Sequence, residues 1–355
     1  MLTRPFSVPK VWIPTKFTKL DAMSSDRCNL AGCENARASP LALKALKKID
    51  PRWLTDHCES QDLTLRGKLA QLHGVAPEQV FLTSGAEAAI FYLFEMWVKG
   101  GAKNAGLLRP DYPAFEHFTL RNLMHTAWLK DAQYPFSCEL ETISGFVDEA
   151  QLQIFVISNP SAVTGIRKSH AEIEALVGSV PDTLFVVDEA DTTDTESAAR
   201  LTLTYPNLIV IRSFSKFYGL SGLRIGYIVT PEQYSKDFDR MINPAELTSV
   251  AIIAARAALD DIKFQRQTQG RVRRSLATIE DACKGTPYKI VPGSSCFASY
   301  IWADEGVEDP YLLLERNNVD IARGADFGLD RGGRMNLSDP DKVQIAADVI
   351  RQTAA

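Results

Sequence analysis

The sequence has few of the patterns that mark metal sites, disulfide frameworks or membrane segments. Its six cysteines stand at irregular spacings without a C-x-x-C pair, which argues against a zinc ribbon and a disulfide framework and favours a reducing cytoplasm. The five histidines form no ligand motif, and no apolar run approaches the roughly 20 residues of a membrane helix. Prolines at positions 5, 9 and 14 interrupt any signal-peptide core. We therefore expect a soluble, cytoplasmic protein that binds no metal.

Charge and glycine patterns exclude further classes. The formal net charge is only -5, and no run of Lys and Arg marks a surface for nucleic acid or anionic membranes. No G-x-G-x-x-G follows a strand pattern, which argues against a nicotinamide dehydrogenase. A chain of 355 residues with 45% hydrophobic residues can bury one large core and a smaller one. Small-molecule chemistry is the expected activity.

The order of patterns along the chain predicts two packed units. Residues 1–40 are irregular, and from Pro40 onward helical patterns alternate with short apolar runs, as in α/β proteins. A helical stretch over 244–280 then precedes three further strand candidates, which indicates a smaller α+β unit. We predict an N-terminal segment 1–40 that contributes to the site and the small domain, a large domain 41–245 and a small domain 246–355. The predicted buried parallel strands are 80–83, 152–157, 183–187 and 208–211, and those of the small unit are 288–291, 297–302 and 334–337.

Polar residues follow each predicted parallel strand, and the ligand of an open parallel sheet lies beyond the carboxyl ends of its strands. The tail of the fourth strand carries Ser213, Ser215, Lys216 and Arg224 in a loop rich in glycine. A lysine in such a pocket can lose its proton by desolvation and form an imine, while the hydroxyls and the arginine can hold a phosphate dianion. Alternatively, the lysine has no catalytic role and lies in a basic turn that is exposed to solvent.

This loop resembles the Schiff-base lysine motif of fold-type-I pyridoxal phosphate enzymes, and more closely that of histidinol-phosphate aminotransferases and threonine-phosphate decarboxylases. The order of motifs extends the resemblance over about residues 28–338. It implies an α/β fold with a mostly parallel central sheet between helices in the large domain and a small C-terminal α+β domain. It also implies that Lys216 forms the imine and that Ser213, Ser215 and Arg224 bind the cofactor phosphate.

A second phosphate contact is predicted where a strand passes into a helix. The first N–H groups of a helix have no partner within it, and the positive end of the helix dipole faces an anion bound there. Turns between a strand and a helix are common in α/β proteins, but the turn at residues 84–87 resembles the phosphate-binding turn of the same family. The residues concerned are Ser84, Gly85, Ala86 and Glu87.

Three more cofactor contacts follow from the resemblance. Tyr112 would stack on the pyridine ring, although a buried tyrosine often serves only to pack the hydrophobic core. Asn159, in an Asn-Pro pair followed by residues 164–165, would donate to the phenolic oxygen. Asp188 would pair with the pyridine nitrogen and keep it protonated, so that the ring can accept electrons from a broken bond at the α-carbon. The plainer alternative for Asp188 is a helix N-cap.

The resemblance also implies the substrate contacts. Arg334 lies where the family has the arginine whose planar guanidinium binds the substrate carboxylate through two hydrogen bonds. Arg323 falls near a second arginine that binds a distal acidic group. Asn35 belongs to an N-terminal motif that is expected to contact the substrate, although the proline that usually follows is absent here.

Two expected tyrosines are replaced. Asp191 stands where the family has a phenol that hydrogen-bonds the cofactor, and there it would raise the basicity of the imine or stay protonated. Alternatively Asp191 faces the substrate and favours a cationic side chain, or it turns to solvent. His57 falls near the tyrosine that reaches the phosphate of the partner subunit in the family. These changes favour a specialised relative over the histidine-pathway enzyme.

Three functions remain open from the sequence. The first is an aminotransferase acting on an amino acid, with a cationic or phosphate-bearing side chain, and on a keto acid. The second is a decarboxylase, lyase or cyclase that uses the same cofactor. The third is a non-catalytic binding protein, which the joint presence of Lys216, Asp188, Asn159 and Arg224 disfavours. The resemblance further implies a homodimer with active sites at the subunit interface.

Overall fold

The computed structural model describes residues 27–130, 136, 138–192, 197–291 and 296–353, so positions 1–26 of the predicted N-terminal segment lie outside the described residues. The strands are β1 (Cys28–Asn29), β2 (Val80–Thr83), β3 (Asn104–Arg109), β4 (His125–Lys130), β5 (Ile154–Ser158), β6 (Leu184–Asp188), β7 (Leu208–Ser213), β8 (Gly226–Val229), β9 (Tyr288–Ile290), β10 (Ala298–Ala303), β11 (Val319–Asp320), β12 (Ala322–Arg323) and β13 (Gly333–Asn336). The helices are α1 (Pro40–Leu46), α2 (Arg52–Thr55), α3 (Leu63–His73), α4 (Ala86–Lys99), α5 (Ala114–Arg121), α6 (Leu140–Glu149), α7 (His170–Ser179), α8 (Ser235–Met241), α9 (Ser249–Leu259), α10 (Ile262–Cys283), α11 (Pro310–Arg316) and α12 (Pro340–Arg351).

The large sheet has the strand order β2-β8-β7-β6-β5-β3-β4. Its pairs from β7 to β4 are parallel, whereas β8 pairs antiparallel with both β7 and β2. The predicted α/β fold with a mostly parallel central sheet is therefore confirmed, but the parallel pairing expected for residues 80–83 is wrong. Because two successive antiparallel pairings restore the direction, β2 still ends at the same sheet edge as β7.

Both faces of this sheet are covered by apolar packing, as its continuous hydrophobic strands require. Phe155 and Phe185 point into a core that holds α1, α3, α7 and α9, whereas Ile154 and Val186 point into a second core with α4 and α5. Local signals set the helix ends. Ser39 caps α1 by accepting from the Ala42 N–H, and a positive φ at the following glycine ends α3.

The small unit is an antiparallel sheet of order β12-β13-β10-β9, packed on α10 and α12. The predicted strands 288–291, 297–302 and 334–337 are present, each displaced by one residue at one or both ends. The helical stretch predicted over 244–280 is two helices, because Asp261 accepts from the Phe264 N–H and starts α10 anew. The domain limits stay a prediction. Helix α9 lies beyond residue 245, in the predicted small domain, but it packs against α1 at the start of the predicted large domain.

The N-terminal strand β1 belongs to the small unit, since it pairs in parallel with β11. No helix in the described residues combines the length and the apolar character needed to cross a membrane.

Candidate active site

Lys216 lies just beyond β7, with its amine in a buried acidic setting. Nζ donates to Oδ2 of Asp191 at 3.3 Å, and the two side chains are 14% and 3% exposed. Burial alone would lower the pKa of Lys216, but the carboxylates of Asp191 and Asp188 outweigh it and hold that pKa above its ordinary value. Asp191 therefore does not turn to solvent, and Lys216 is not a solvated basic turn.

Asp188 ends β6 and is 5% exposed. Its Oδ1 accepts the Ala190 N–H at 2.9 Å. Burial raises the pKa of Asp188 to about 6, against the opposing effects of that N–H and of Lys216. A buried carboxylate with a raised proton affinity fits a partner that offers an N–H, such as a pyridinium nitrogen.

The ends of three strands meet at the predicted phosphate site. Gly226 of β8 lies opposite Thr83 on one side and Ser213 on the other. Gly85 has φ 84° and starts α4, and a Cβ at this position would lie 2.7 Å from Nη2 of Arg224. Because only glycine leaves this space, the guanidinium can approach the turn closely.

The hydroxyls complete this donor set. Ser213 Oγ donates to Ser215 Oγ at 2.9 Å and accepts from the Ser215 N–H at 3.1 Å. Together with the first N–H groups of α4 and the Arg224 guanidinium, they provide hydroxyl, amide and cationic donors at the same edge of the sheet. These groups fit the dianionic phosphate of pyridoxal phosphate, while Lys216 and Asp188 fit its aldehyde and its ring nitrogen.

Two glutamates contact residues at this turn. Glu246, which the sequence analysis missed, accepts from the Ser84 N–H at 2.7 Å and from the Tyr92 hydroxyl at 3.0 Å. Glu87 accepts from the Tyr112 hydroxyl at 2.6 Å, and its other oxygen lies 3.7 Å from Arg224. The Ser84 N–H is thus engaged within the chain, and Glu87 links the predicted stacking tyrosine to the predicted phosphate arginine.

Asp111 is a second buried carboxylate that the sequence analysis missed. It accepts from the Ser158 N–H at 3.0 Å, from the Tyr112 N–H at 2.7 Å and from the Ser158 hydroxyl. Burial raises its pKa to about 7. It joins the tails of β3 and β5, and this fixes the position of Tyr112 relative to Asn159.

Asn159 follows β5 and is buried, but its amide is engaged with backbone. Nδ2 donates to the Lys168 carbonyl at 3.0 Å, and Oδ1 accepts the Lys168 N–H at 2.8 Å. A donation to the cofactor's phenolic oxygen would replace or share the first of these bonds, and the role stays a prediction.

Arg334 and Asn35 join the small unit and the N-terminal segment to the site. Arg334 Nη2 donates to the Ala31 carbonyl at 2.8 Å, and Nη1 donates to the Ala162 carbonyl, in the loop after β5, at 3.5 Å. The guanidinium lies 5.0 Å from the centre of the Phe327 ring. Its buried Nε has no hydrogen-bond partner in the described part of the chain. Asn35 donates to the Lys216 carbonyl at 2.9 Å, so it contacts the lysine loop directly.

The structure does not bring Arg323 and His57 to this group. Ala322 lies opposite Arg334 in the β12–β13 pair, and neighbouring strand residues face opposite sides, so Arg323 faces away from Arg334. Its guanidinium lies 5.7 Å from the Tyr311 ring. His57 is exposed on the surface of the single chain after α2. Their proposed contacts stay predictions.

Comparisons with known proteins identify the family of the chain. A family model for aminotransferase class I and II matches residues 34–350. A curated relative named histidinol-phosphate aminotransferase, from Haloquadratum walsbyi, is 31% identical over 294 residues, which cover 78% of this chain and 74% of the relative.

Two solved structures share the fold. The crystal structure of histidinol-phosphate aminotransferase from Sinorhizobium meliloti in complex with pyridoxal-5'-phosphate has a TM-score of 0.82 at 19% identity and covers 92% of this chain and 90% of its own. That of L-threonine-O-3-phosphate decarboxylase from Porphyromonas gingivalis has a TM-score of 0.76 at 20% identity and covers 91% and 98%. The chain belongs to the aminotransferase class I and II family and is a pyridoxal phosphate-dependent transferase.

Proposed function

We propose that this enzyme transfers the amino group of a donor whose anionic group, a carboxylate or a phosphate, binds Arg334. The observation that carries the proposal is the partly unpartnered Arg334 guanidinium on the small unit, in a site whose reactive amine is Lys216. The relatives named for histidinol phosphate support a phosphate-bearing donor. A planar guanidinium accepts either anion through paired hydrogen bonds.

The residues of the site have separate roles in this reaction. When bound, pyridoxal phosphate supplies an electron sink conjugated to the substrate α-carbon. Ser213, Ser215, Arg224 and the first N–H groups of α4 hold its phosphate, and Asp188 holds a proton at its ring nitrogen. Lys216 Nζ takes the proton from the α-carbon and acts afterwards as the acid.

Arg334 sets the orientation of the substrate. Its Nη2 donates to the Ala31 carbonyl and its Nη1 to the Ala162 carbonyl at 3.5 Å, so the plane of the guanidinium is fixed. An anion contact fixed in this way would hold the substrate α-carbon in one orientation relative to Lys216.

The test is a panel of amino donors with a keto acid as acceptor, followed by detection of the new amino acid. The panel contains histidinol phosphate and O-phosphorylated amino acids as phosphate-bearing donors. It also contains glutamate and aspartate as donors with a carboxylate side chain, and arginine as a donor with a cationic side chain. Lys216→Ala is expected to abolish turnover. Arg334→Lys keeps the charge but loses the paired geometry, so we expect KM for the anionic donor to rise at least about tenfold, a loss of about 1.4 kcal/mol. Unchanged KM in that variant would refute the assignment of Arg334.

Decarboxylation is a second candidate, and the Asp191 contact favours it. A lysine that Asp191 keeps protonated is a poor base for the α-proton but a ready acid for the carbon left after CO2 departs. Release of CO2 without a requirement for a keto acid would establish this alternative, whereas formation of a second amino acid would exclude it as the main reaction.

We also propose that the enzyme is a homodimer. Leu54 and Leu63 are 71% and 70% exposed, and they flank the exposed His57. Large exposed apolar side chains grouped in one segment are typical of an interface. The measurement is the mass in solution by light scattering, and a monomer at micromolar concentration would contradict it. The cytoplasmic location stays a prediction from the cysteine spacing.

A further inference from the structure

We propose that Asp191 is a positioning residue that ties Lys216 to the small domain and keeps the lysine amine protonated in the cofactor-free protein. The inference rests on the proposed function only in taking Lys216 as the reactive amine. It assigns to Asp191 a role that the phenol expected at this position cannot fill, because a neutral hydroxyl provides no counter-charge.

The two oxygens of Asp191 have different partners. Oδ2 accepts from Lys216 Nζ at 3.3 Å, and Oδ1 accepts the Phe297 N–H at 3.1 Å. Lys216 belongs to the loop after β7 of the large sheet, whereas Phe297 stands directly before β10 of the small sheet. One carboxylate therefore joins the reactive amine to the backbone of the other unit.

A ring contact reinforces this link. The rings of Phe217 and Phe297 meet edge to face, with centroids 4.9 Å apart and an interplanar angle of 89°. Phe217 is the neighbour of Lys216 in the chain. The ring of Phe297, whose N–H binds Asp191, thus packs on the neighbour of Lys216, and this contact holds both partners of the carboxylate in place.

Acidic groups surround the Lys216 amine. The groups that act on the amine are Asp191, Asp188, Cys33 and Cys296. The Asp191 carboxylate stabilises the ammonium form of Lys216 through their contact, and a shift of the small unit that removed the Phe297 N–H would free this carboxylate to move away from the amine.

Competitive labelling with acetic anhydride measures the proton affinity of Lys216 directly in the cofactor-free full-length protein. The neutral amine attacks one carbonyl, an N-acetyl bond forms, acetate leaves and the amine proton passes to solvent. Mass spectrometry gives the acetylated fraction of each lysine as a function of pH. Asp191→Asn removes the charge at constant shape, so we expect the labelling of Lys216 at pH 8 to rise at least about tenfold, which corresponds to one pKa unit.

The matched control is the exposed ion pair between Lys68 and Asp260, whose side chains are 38% and 62% exposed. Water screens such pairs, so Asp260→Asn should change the labelling of Lys68 by less than about threefold. Labelling of Lys216 that is unchanged in Asp191→Asn would overturn the proposal.

Hydrogen exchange at the Phe297 amide tests the link to the small domain. The amide oxygen of Asp191→Asn can still accept this N–H, so its exchange should stay slow, whereas Asp191→Ala should exchange at least about tenfold faster. Equal exchange in the wild type and Asp191→Ala would refute the link. Both readouts are independent of turnover, so their failure is distinguishable from failure of the proposed transaminase activity.

Discussion

Replacing the buried carboxylate of Asp188 should stabilise the cofactor-free protein while abolishing its activity. In the folded chain burial raises the pKa of Asp188 from 3.8 to about 6. Between these values the unfolded chain has released its proton and the folded chain has not, so stability falls as pH rises through this window. Above it the penalty is about 2 pKa units, or about 3 kcal/mol at about 1.4 kcal/mol per unit.

Asp188→Asn removes this penalty, because the amide has no charge to bury. The expected gain in the free energy of unfolding is about 3 kcal/mol at pH 8 and about half of that at pH 5. Urea denaturation of the cofactor-free wild type and variant at both pH values measures it, with fluorescence and circular dichroism as probes. Equal stabilities at pH 8, or a difference that does not change between pH 5 and pH 8, would refute the reasoning. The same variant lacks the carboxylate that holds a proton at the ring nitrogen, so turnover should be lost.

Two further substitutions test other contacts. Glu189→Gln removes a buried carboxylate that lies 3.1 Å from the Arg212 guanidinium, where the two side chains are 0% and 2% exposed, and it should lower the free energy of unfolding by about 1.5–3 kcal/mol; a loss under about 0.5 kcal/mol in urea denaturation would contradict this. Gly85→Ala adds a Cβ that would lie 2.7 Å from Nη2 of Arg224 and displaces this guanidinium from the predicted phosphate site, so the dissociation constant of pyridoxal phosphate in equilibrium dialysis should rise at least about fivefold, which corresponds to about 1 kcal/mol. Gly67→Ala, on open helix surface, is the control and should bind the cofactor unchanged.

The large sheet and the lysine loop were predictable because their signals are local. Continuous apolar runs ending in polar residues predict strands such as β6 and β7, and the direction of the chain then places Asp188 and Lys216 at one edge. The pairing of β2 with β8 was not predictable in this way, because a short buried run looks the same in parallel and antiparallel pairs.

The partners of the site residues depend on contacts between distant parts of the chain. The Phe297 N–H that binds Asp191 is 106 residues away, and Glu246 is 162 residues from Ser84. No spacing rule connects such positions. The orientation of Arg323 depends on strand register, since a shift of one residue in β12 exchanges the two faces of the strand.

The placement of β1 in the small unit has a consequence for folding during synthesis. Arg27 contacts Asp320 across 293 residues, and Ala31 contacts Arg334 across 303. The strands of the large sheet all lie between Val80 and Val229, so that sheet can assemble as soon as its own residues have left the ribosome. Residues 27–31 can form these contacts only after nearly the whole chain has been synthesised. Because this requires closing a very long loop, completion of the small unit is a late step in folding.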